Sequence, residues 1–251
     1  MDLKLSDKTA LVTGASMGIG NAIARGLAAE GVRLCVAARR GNLLKELAGR
    51  ITAAGGKTPH IEEIDIMAAG APERLAAAAV TALGKVDILV NCAGGSRPEI
   101  PIDAPEAEWS EVMQLNFDRV RQLTHAVLPV MIGNGYGRVI NISGKSEPSG
   151  LVSANAAKAA IHAWSKGLSR AVGKHGITVN SIPPGRIMSE QILRKYSPEF
   201  RAKQSAEEIP MGRYGQPEEL AALAVFLASP VAGYITGAVL PVDGGLRRYA
   251  F

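Results

Sequence analysis

The chain has 251 residues, is 47% hydrophobic and carries 28 basic against 23 acidic side chains, a net charge of +5. That content suits one substantial core, and the absence of any run of five like charges implies neither a nucleic-acid nor an acidic-membrane surface. Cys35 and Cys92 sit in apolar segments and read as buried thiols of a reducing cytoplasm, while His60, His125, His162 and His175 are scattered, with no Cys or His at metal-ligand spacing.

The N-terminal "MDLKLSDKTALVTG" lacks the apolar region of a signal peptide. Along the chain, "TALVTG", "RLCVAA", "VDILVNCAG", "GRVINIS", "ITVNSIPPG" and "AVLPVDGG" read as strands. Helical periodicity covers Ile19–Glu30, Leu43–Ala54, Ala71–Leu83, Trp109–Met131 and Ala154–His175. Near-continuous apolar strands are buried on both faces, which means a parallel sheet between helices. The regular alternation from residue 9 to residue 182 predicts an α/β, Rossmann-type doubly wound sheet forming one domain over 1–251. Leu220 to Val242 is uncharged and long enough to span a bilayer. Pro230, Gly233 and Gly237 divide it, so it reads as a buried helix followed by a buried strand, with no membrane association.

In such sheets ligands bind outside the carboxyl ends of the strands. The segments there are "TGASMGIG", "AARR", "EIDI", "NCAGG", "NISGKS" and "IPPGRIMS". Thr13 to Gly20 follows the first strand and opens a helix, with glycines spaced G-x-x-x-G-x-G. Those glycines let the backbone turn tightly at a helix N-terminus, whose free N–H groups favour an anion. In the first βα unit that anion is a dinucleotide pyrophosphate. At the end of the second strand stands Ala38, where an acid would bind ribose hydroxyls, and Arg39 and Arg40 follow it. Guanidinium groups there suit a 2′-phosphate, so NADP(H) is expected in preference to NAD(H), which remains possible.

Taken together, "TGASMGIG", "NCAG", the "LNF" around Asn116, Lys158 in the small-residue helix "LVSANAAKAAIHAW", "PPGRIMS" and "YITGAVLPVDGG" resemble the short-chain dehydrogenase/reductase family over nearly the whole chain. The resemblance implies an NAD(P)-binding oxidoreductase that interconverts carbonyl and hydroxyl groups, usually a homotetramer. By position it implies that Gly14, Ser16, Met17, Gly18, Ile19 and Gly20 line the pyrophosphate, and that Asp65 and Ile66 frame the adenine. It likewise implies Asn91, Ala93 and Gly94 at the central strand end beside the adenosine ribose, and Pro184, Gly185, Ile187 and Ser189 at the nicotinamide carboxamide. Asn116 matches the asparagine that organises a proton-relay water, and Lys158 the lysine that hydrogen-bonds the nicotinamide ribose. Met17 stands where many NADP-binding relatives carry a second basic residue.

The reaction half departs from that pattern. The family's proton donor is a tyrosine four residues before the lysine, and here that place is Ala154. The family's substrate-orienting serine falls on Gly144, leaving Ser143 beside it and Ser146 two beyond. Three readings stay open. The chain is a reductase whose proton donor is Lys158 itself, Ser143, Ser146 or a bound water, with a route through Lys158, water and Asn116 expected and Ser143, with Ser146 as its rival, orienting the substrate; or it is a non-catalytic NADP(H)-binding sensor or partner; or it is an enzyme of non-redox elimination or dehydration. Lys145, Ser146, Glu147 and Arg186 near the site suit a small anionic substrate, and the substrate loop is expected over Ile187 to Met211. Small residues Ala156, Ala159, Ala160 and Ala163, a partner surface of Val112, Leu115, Val120 and Leu123, and the terminal "LRRYAF" suit the homotetramer.

Overall fold

A computed structural model describes residues 1–95, 100–144 and 150–248. Six parallel strands, β1 (Thr9–Thr13), β2 (Arg33–Ala38), β3 (His60–Glu63), β4 (Ile88–Asn91), β5 (Gly137–Ile142) and β6 (Ile177–Ile182), form one sheet in the order β3-β2-β1-β4-β5-β6. The order reverses between β1 and β4, and the crevice beyond their carboxyl ends is the topological place for a ligand. On one face, α1 (Gly18–Ala29), α2 (Gly41–Ala53) and α9 (Pro217–Ala228) close a core around Val12, Ile23, Leu27, Leu44, Val90 and Leu220. On the other, α3 (Ala71–Leu83), α5 (Arg119–Asn134) and α6 (Ser153–Val172) cover Leu11, Leu89, Leu123, Val127, Val139 and Val179. The doubly wound expectation is met.

Three local features differ from the sequence reading. β3 is the short edge strand "HIEE", exposed at both ends and half-buried between, so it has none of the apolar continuity that marks its neighbours. The segment "AVLPVDGG" runs beside β6 but forms no strand. Val239 and Val242 make only isolated bridges to Ser181 and Pro184, because Pro183, Pro184 and Pro241 have no N–H to give a ladder. It is half-buried, and of Leu220–Val242 only the helical part is deeply enclosed. Among the described residues no helix is long and apolar enough to cross a membrane. The long helix expected over Trp109–Met131 begins earlier as α4 (Glu106–Met113) and passes into α5 through a π-helical turn at Gln114–Asp118.

That turn adds a residue to the helical repeat and aims Asn116 into the protein, where it is 1% exposed. Val112, Val120 and Leu123 are buried in their own chain and present no partner surface. The exposed face of α6 carries Ala156, Ala159 and Ala163. The substrate loop expected over Ile187 to Met211 folds as α7 (Glu190–Lys195) and α8 (Pro198–Glu208). Lys145, Ser146, Glu147 and the terminal Tyr249, Ala250 and Phe251 lie outside the described residues.

A buried polar chain ties the sheet to α5 and α6. Asn91 Nδ2 donates to Thr124 Oγ1 at 3.0 Å and to Asn141 Oδ1 at 2.8 Å, Asn141 Nδ2 donates to Ser165 Oγ at 2.9 Å, and Ser181 Oγ meets Ser165 Oγ at 3.3 Å. These bonds hold the carboxyl ends of β4, β5 and β6 level. Removing the middle member strands buried partners, which costs about 1–3 kcal/mol. Asn141→Ala is therefore expected to lower the urea midpoint by that free energy with an unchanged m-value; an unmoved midpoint would show the chain to be dispensable.

Candidate active site

The turn after β1 is shaped by contacts that only glycine permits. Gly14 has φ +64°, and a Cβ on it would lie 2.8 Å from the Cys92 carbonyl oxygen; Gly18 has φ +55°. A Cβ on Gly20 would overlap the carbonyl of Gly14. Thr13 Oγ1 accepts from the N–H groups of Cys92 and Ala93 at 3.0 and 3.1 Å and donates to Val90 O, locking the β4 end to the turn. At the head of α1, Met17 is extended, no side chain caps the helix, and its first turn holds no acid. The head of a 12-residue helix thus opens at the crevice with the positive end of its dipole behind it, the Gly20 N–H meeting the Cys92 sulfur. A dinucleotide pyrophosphate fits this cradle, formed around Gly14, Ser16, Met17, Gly18, Ile19 and Gly20.

Around it, the described residues divide into those that face the crevice and those turned away. Arg39 and Arg40 are exposed at the end of β2, beside half-buried Ala38. Arg40 pairs with Glu190 of α7 at 3.4 Å, both about half exposed, a contact worth at most about 1 kcal/mol that a phosphate dianion could displace. The Glu63 carboxylate rests against Gly41, placing one acid near the two arginines. The Asp65 carboxylate accepts from Met67 N at 2.9 Å within its own turn, and Ile66 packs on the core beneath α3. Asn91 spends its amide in the buried chain. Gly185 N donates to Val242 O at 2.9 Å and Met188 N to Gly215 O at 2.8 Å, so residues 184–189 are fixed from both sides. Ser189 caps α7 by accepting from Ile192 N, and its Cβ would lie 3.9 Å from one built on Gly18.

Lys158 stands at the centre. Its Nζ donates to Ile142 O at 3.1 Å, and both it and Asn116 Oδ1 come within 3.0 Å of where a Gly94 Cβ would stand. Gly144 leaves room for the lysine stem, whose Cγ would lie 3.0 Å from a Cβ there. Burial pushes the ammonium down from 10.5 to about 8, against a smaller opposing influence of Cys92, itself raised by burial to about 11. Asn116 accepts from Gly95 N and donates to Val112 O, both at 3.1 Å. Ala154 is 3% exposed and packs with Val112 and Ala157, flanked by Met113, Phe117 and Val152. Apolar side chains therefore surround the position at which the family carries its tyrosine.

Ser143 is not a lone hydroxyl. Its Oγ lies 2.7 Å from His162 Nε2, and the serine is buried while the histidine is half-buried. His162 escaped the sequence reading as one of four scattered histidines. Its only signal was a place one turn beyond Lys158 on the same helix face. Among the described residues no group of three or more His, Cys, Asp or Glu is placed to hold a metal.

Sheet order and phosphate turn together define a dinucleotide-binding α/β protein, and comparison with known proteins gives the family. The family model "Enoyl-(Acyl carrier protein) reductase" matches residues 14–247. The short-chain reductase protein NovJ of Streptomyces niveus is 35% identical over 246 residues, covering 95% of this chain and 94% of that one. A Pseudomonas aeruginosa RhlG/NADP active-site complex matches with a TM-score of 0.89 at 36% identity, covering 97% of this chain and 98% of that one. A 7α-hydroxysteroid dehydrogenase complexed with NADH and 7-oxo glycochenodeoxycholic acid matches with a TM-score of 0.92 at 33% identity, covering 97% and 96%. The chain belongs to the short-chain dehydrogenase/reductase family, oxidoreductases of CH–OH and C=O groups.

The buried ammonium also sets a stability signature. A lysine displaced from 10.5 to about 8 costs the folded apoprotein roughly 3 kcal/mol while it stays charged. Below pH 8 both states hold the proton and the penalty is complete; between about 8 and 10.5 only the unfolded chain holds it, so this group's contribution rises with pH. Lys158→Met is accordingly expected to raise the melting temperature at pH 7 and to lose that advantage by pH 10. Equal melting temperatures at pH 7 would contradict the burial of the charge.

Proposed function

We propose that the chain is an NADP(H)-dependent carbonyl reductase of a small anionic substrate, working without the tyrosine its family uses as proton donor. The observation that carries this reading is the half-buried Lys158 ammonium, held on Ile142 O at the carboxyl end of the sheet beside an anion turn that its N-cap side chain leaves uncapped. Gly14, Ser16, Met17, Gly18, Ile19 and Gly20 take the pyrophosphate, Asp65 and Ile66 flank the adenine, and Ala93 and Gly94 meet the adenosine ribose with Asn91 bracing the strand beneath. Pro184, Gly185, Ile187 and Ser189 meet the carboxamide. When bound, the nicotinamide supplies the hydride.

Lys158 binds the ribose hydroxyls and opposes the negative charge that develops on the substrate oxygen. Its proton reaches that oxygen through a water ordered with Asn116, and Ser143 orients the carbonyl. A missing general acid costs ~10²–10⁴ in rate, about 3–6 kcal/mol. An ammonium titrating near 8 is a far better acid than an ordinary lysine and recovers part of that loss.

Both NADP and NADH accompany relatives of this fold, so the fold does not choose between them. Arg39 and Arg40 at the end of β2 favour the 2′-phosphate even with Glu63 and Glu190 nearby, because the Arg40–Glu190 pair is exposed and readily exchanged. An anionic substrate is supported by Arg186, whose Nε is buried with no partner among the described residues and whose guanidinium lies 6.0 Å from the Tyr196 ring. An oxyanion would satisfy it. Residues 187–211, with α7 and α8, form the substrate segment. The exposed alanine face of α6 supports a homotetramer.

Three measurements bear on this reading. Arg39→Ala is expected to weaken NADPH binding by ~10-fold or more and to leave NADH binding unchanged; an unaltered NADPH affinity would remove the basis for cofactor choice. Ala154→Tyr, checked for folding because the site is tightly packed, is expected to raise turnover on generic ketones toward the ~10²–10⁴ of a general acid. No gain, and no turnover of any carbonyl by the parent chain, would refute the reductase. Light scattering should give a mass of four 26.2 kDa chains; one chain mass would end the tetramer.

A further inference from the structure

The reaction assigned above leaves a buried acid–base pair unexplained. Ser143 follows directly on β5, and its neighbour Gly144 passes the Lys158 stem, so the serine stands at the carboxyl end of the sheet next to the lysine. The partner of that hydroxyl is His162, at 2.7 Å, and the ring is half-buried while the serine is buried. Ala154, Lys158 and His162 are spaced i, i+4, i+8 on α6 and follow one face of it. A serine needs no titratable partner merely to orient a carbonyl, and a backbone carbonyl or a second hydroxyl would satisfy it, as Ser165 does for Asn141 and Ser181.

Resting on the reductase reading, we infer that His162 and Ser143 form a second proton route to the substrate oxygen, leading outward from the site and independent of the Lys158 route. In reduction, hydride adds to the carbonyl carbon and the π pair moves onto oxygen. That oxygen takes the Ser143 Oγ proton, Oγ takes the Nε2 proton of the His162 imidazolium, and the neutral ring regains a proton from solvent. Oxidation runs the same steps backward, with the neutral ring accepting the proton from Ser143 as Oγ takes that of the alcohol. No further reactant is needed. His162 acts through Ser143 and is a positioning and relay residue.

The surroundings set when each direction is served. Burial first, then the charges of Arg247 from the C-terminal segment and Lys158 from the preceding turn of α6, hold the imidazole below its ordinary 6.5. At neutral pH the ring is neutral and ready to accept a proton, so the route favours alcohol oxidation. Below its own pKa the ring carries the proton that reduction consumes. The two routes therefore separate by pH: the lysine route fades above about 8, and the histidine route adds to reduction only on the acid side.

The test compares the intact chain, His162→Gln and Ser143→Ala. Imidazole NMR of the NADP⁺-bound protein reports the pair without turnover. His162 is expected to titrate below 6.5 and to shift on Ser143→Ala while His125 does not; a His162 indifferent to that change would overturn the inference whatever the enzyme does. Steady-state kinetics then report the route. His162→Gln keeps an amide to bind Ser143 but has no proton it can release and regain, and is expected to leave KM and the limb near 8 in place while abolishing the acid-side rise in reductive kcat, ~10²-fold. An unchanged pH profile with normal turnover would overturn the route and leave the reductase standing. Absence of any carbonyl turnover in the parent chain, with the NMR pair present, would overturn the reductase reading and this inference with it.

Discussion

A half-buried lysine whose ammonium is pulled down to about 8 by its surroundings is the constraint on which the site depends. Lys158 is held on Ile142 O, opposite Gly94 and Asn116, and burial pulls it down to about 8. Each neighbour is fitted to that charge. Gly144 and Gly94 are small where the lysine stem and head pass, and a side chain on either would meet Lys158 at 3.0 Å. The π-helical turn delivers the Asn116 amide to the same place. The buried chain from Asn91 to Ser181 keeps three strand ends in line beneath it. The free energy spent in holding the ammonium there is the reason to propose that it meets hydrogen-bond acceptors and developing negative charge in its working state.

The anion turn works by the complementary device. It holds no charged side chain of its own in its first turn, only backbone N–H groups that three glycines allow to converge and that the N-cap Met17 leaves uncapped. At the outer end of the groove the balance differs, because Arg40 already has Glu190 as a partner and must exchange it. Since that pair is exposed, the exchange costs about 1 kcal/mol or less, small beside a charge-assisted bond to phosphate.

Most of the fold was legible because parallel strands buried on both faces leave largely apolar runs; β1, β2 and β4 do so, and β5 and β6 keep apolar residues around buried Arg138, Asn141, Thr178, Asn180 and Ser181. The exceptions lie where that rule has no purchase. β3 is an edge strand of polar residues, and "AVLPVDGG" is apolar yet denied a ladder by prolines. The glycines of the turn could be read because each answers a backbone requirement that spacing alone reveals. Val112, Val120 and Leu123 were misread as partner surface because apolar periodicity does not say which body a helix face meets. The Ser143–His162 contact joins two elements nineteen positions apart in sequence, a distance at which no periodicity operates, and it emerged only from side-chain geometry.

The central claim is that Lys158 is a half-buried ammonium made acidic by its surroundings. ¹⁵N NMR of the lysine side chains across a pH titration addresses it directly, with Lys158→Met assigning the resonance. The account predicts one Nζ with a midpoint near 8, apart from the other lysines. A Lys158 that titrates together with them near 10.4 would contradict it.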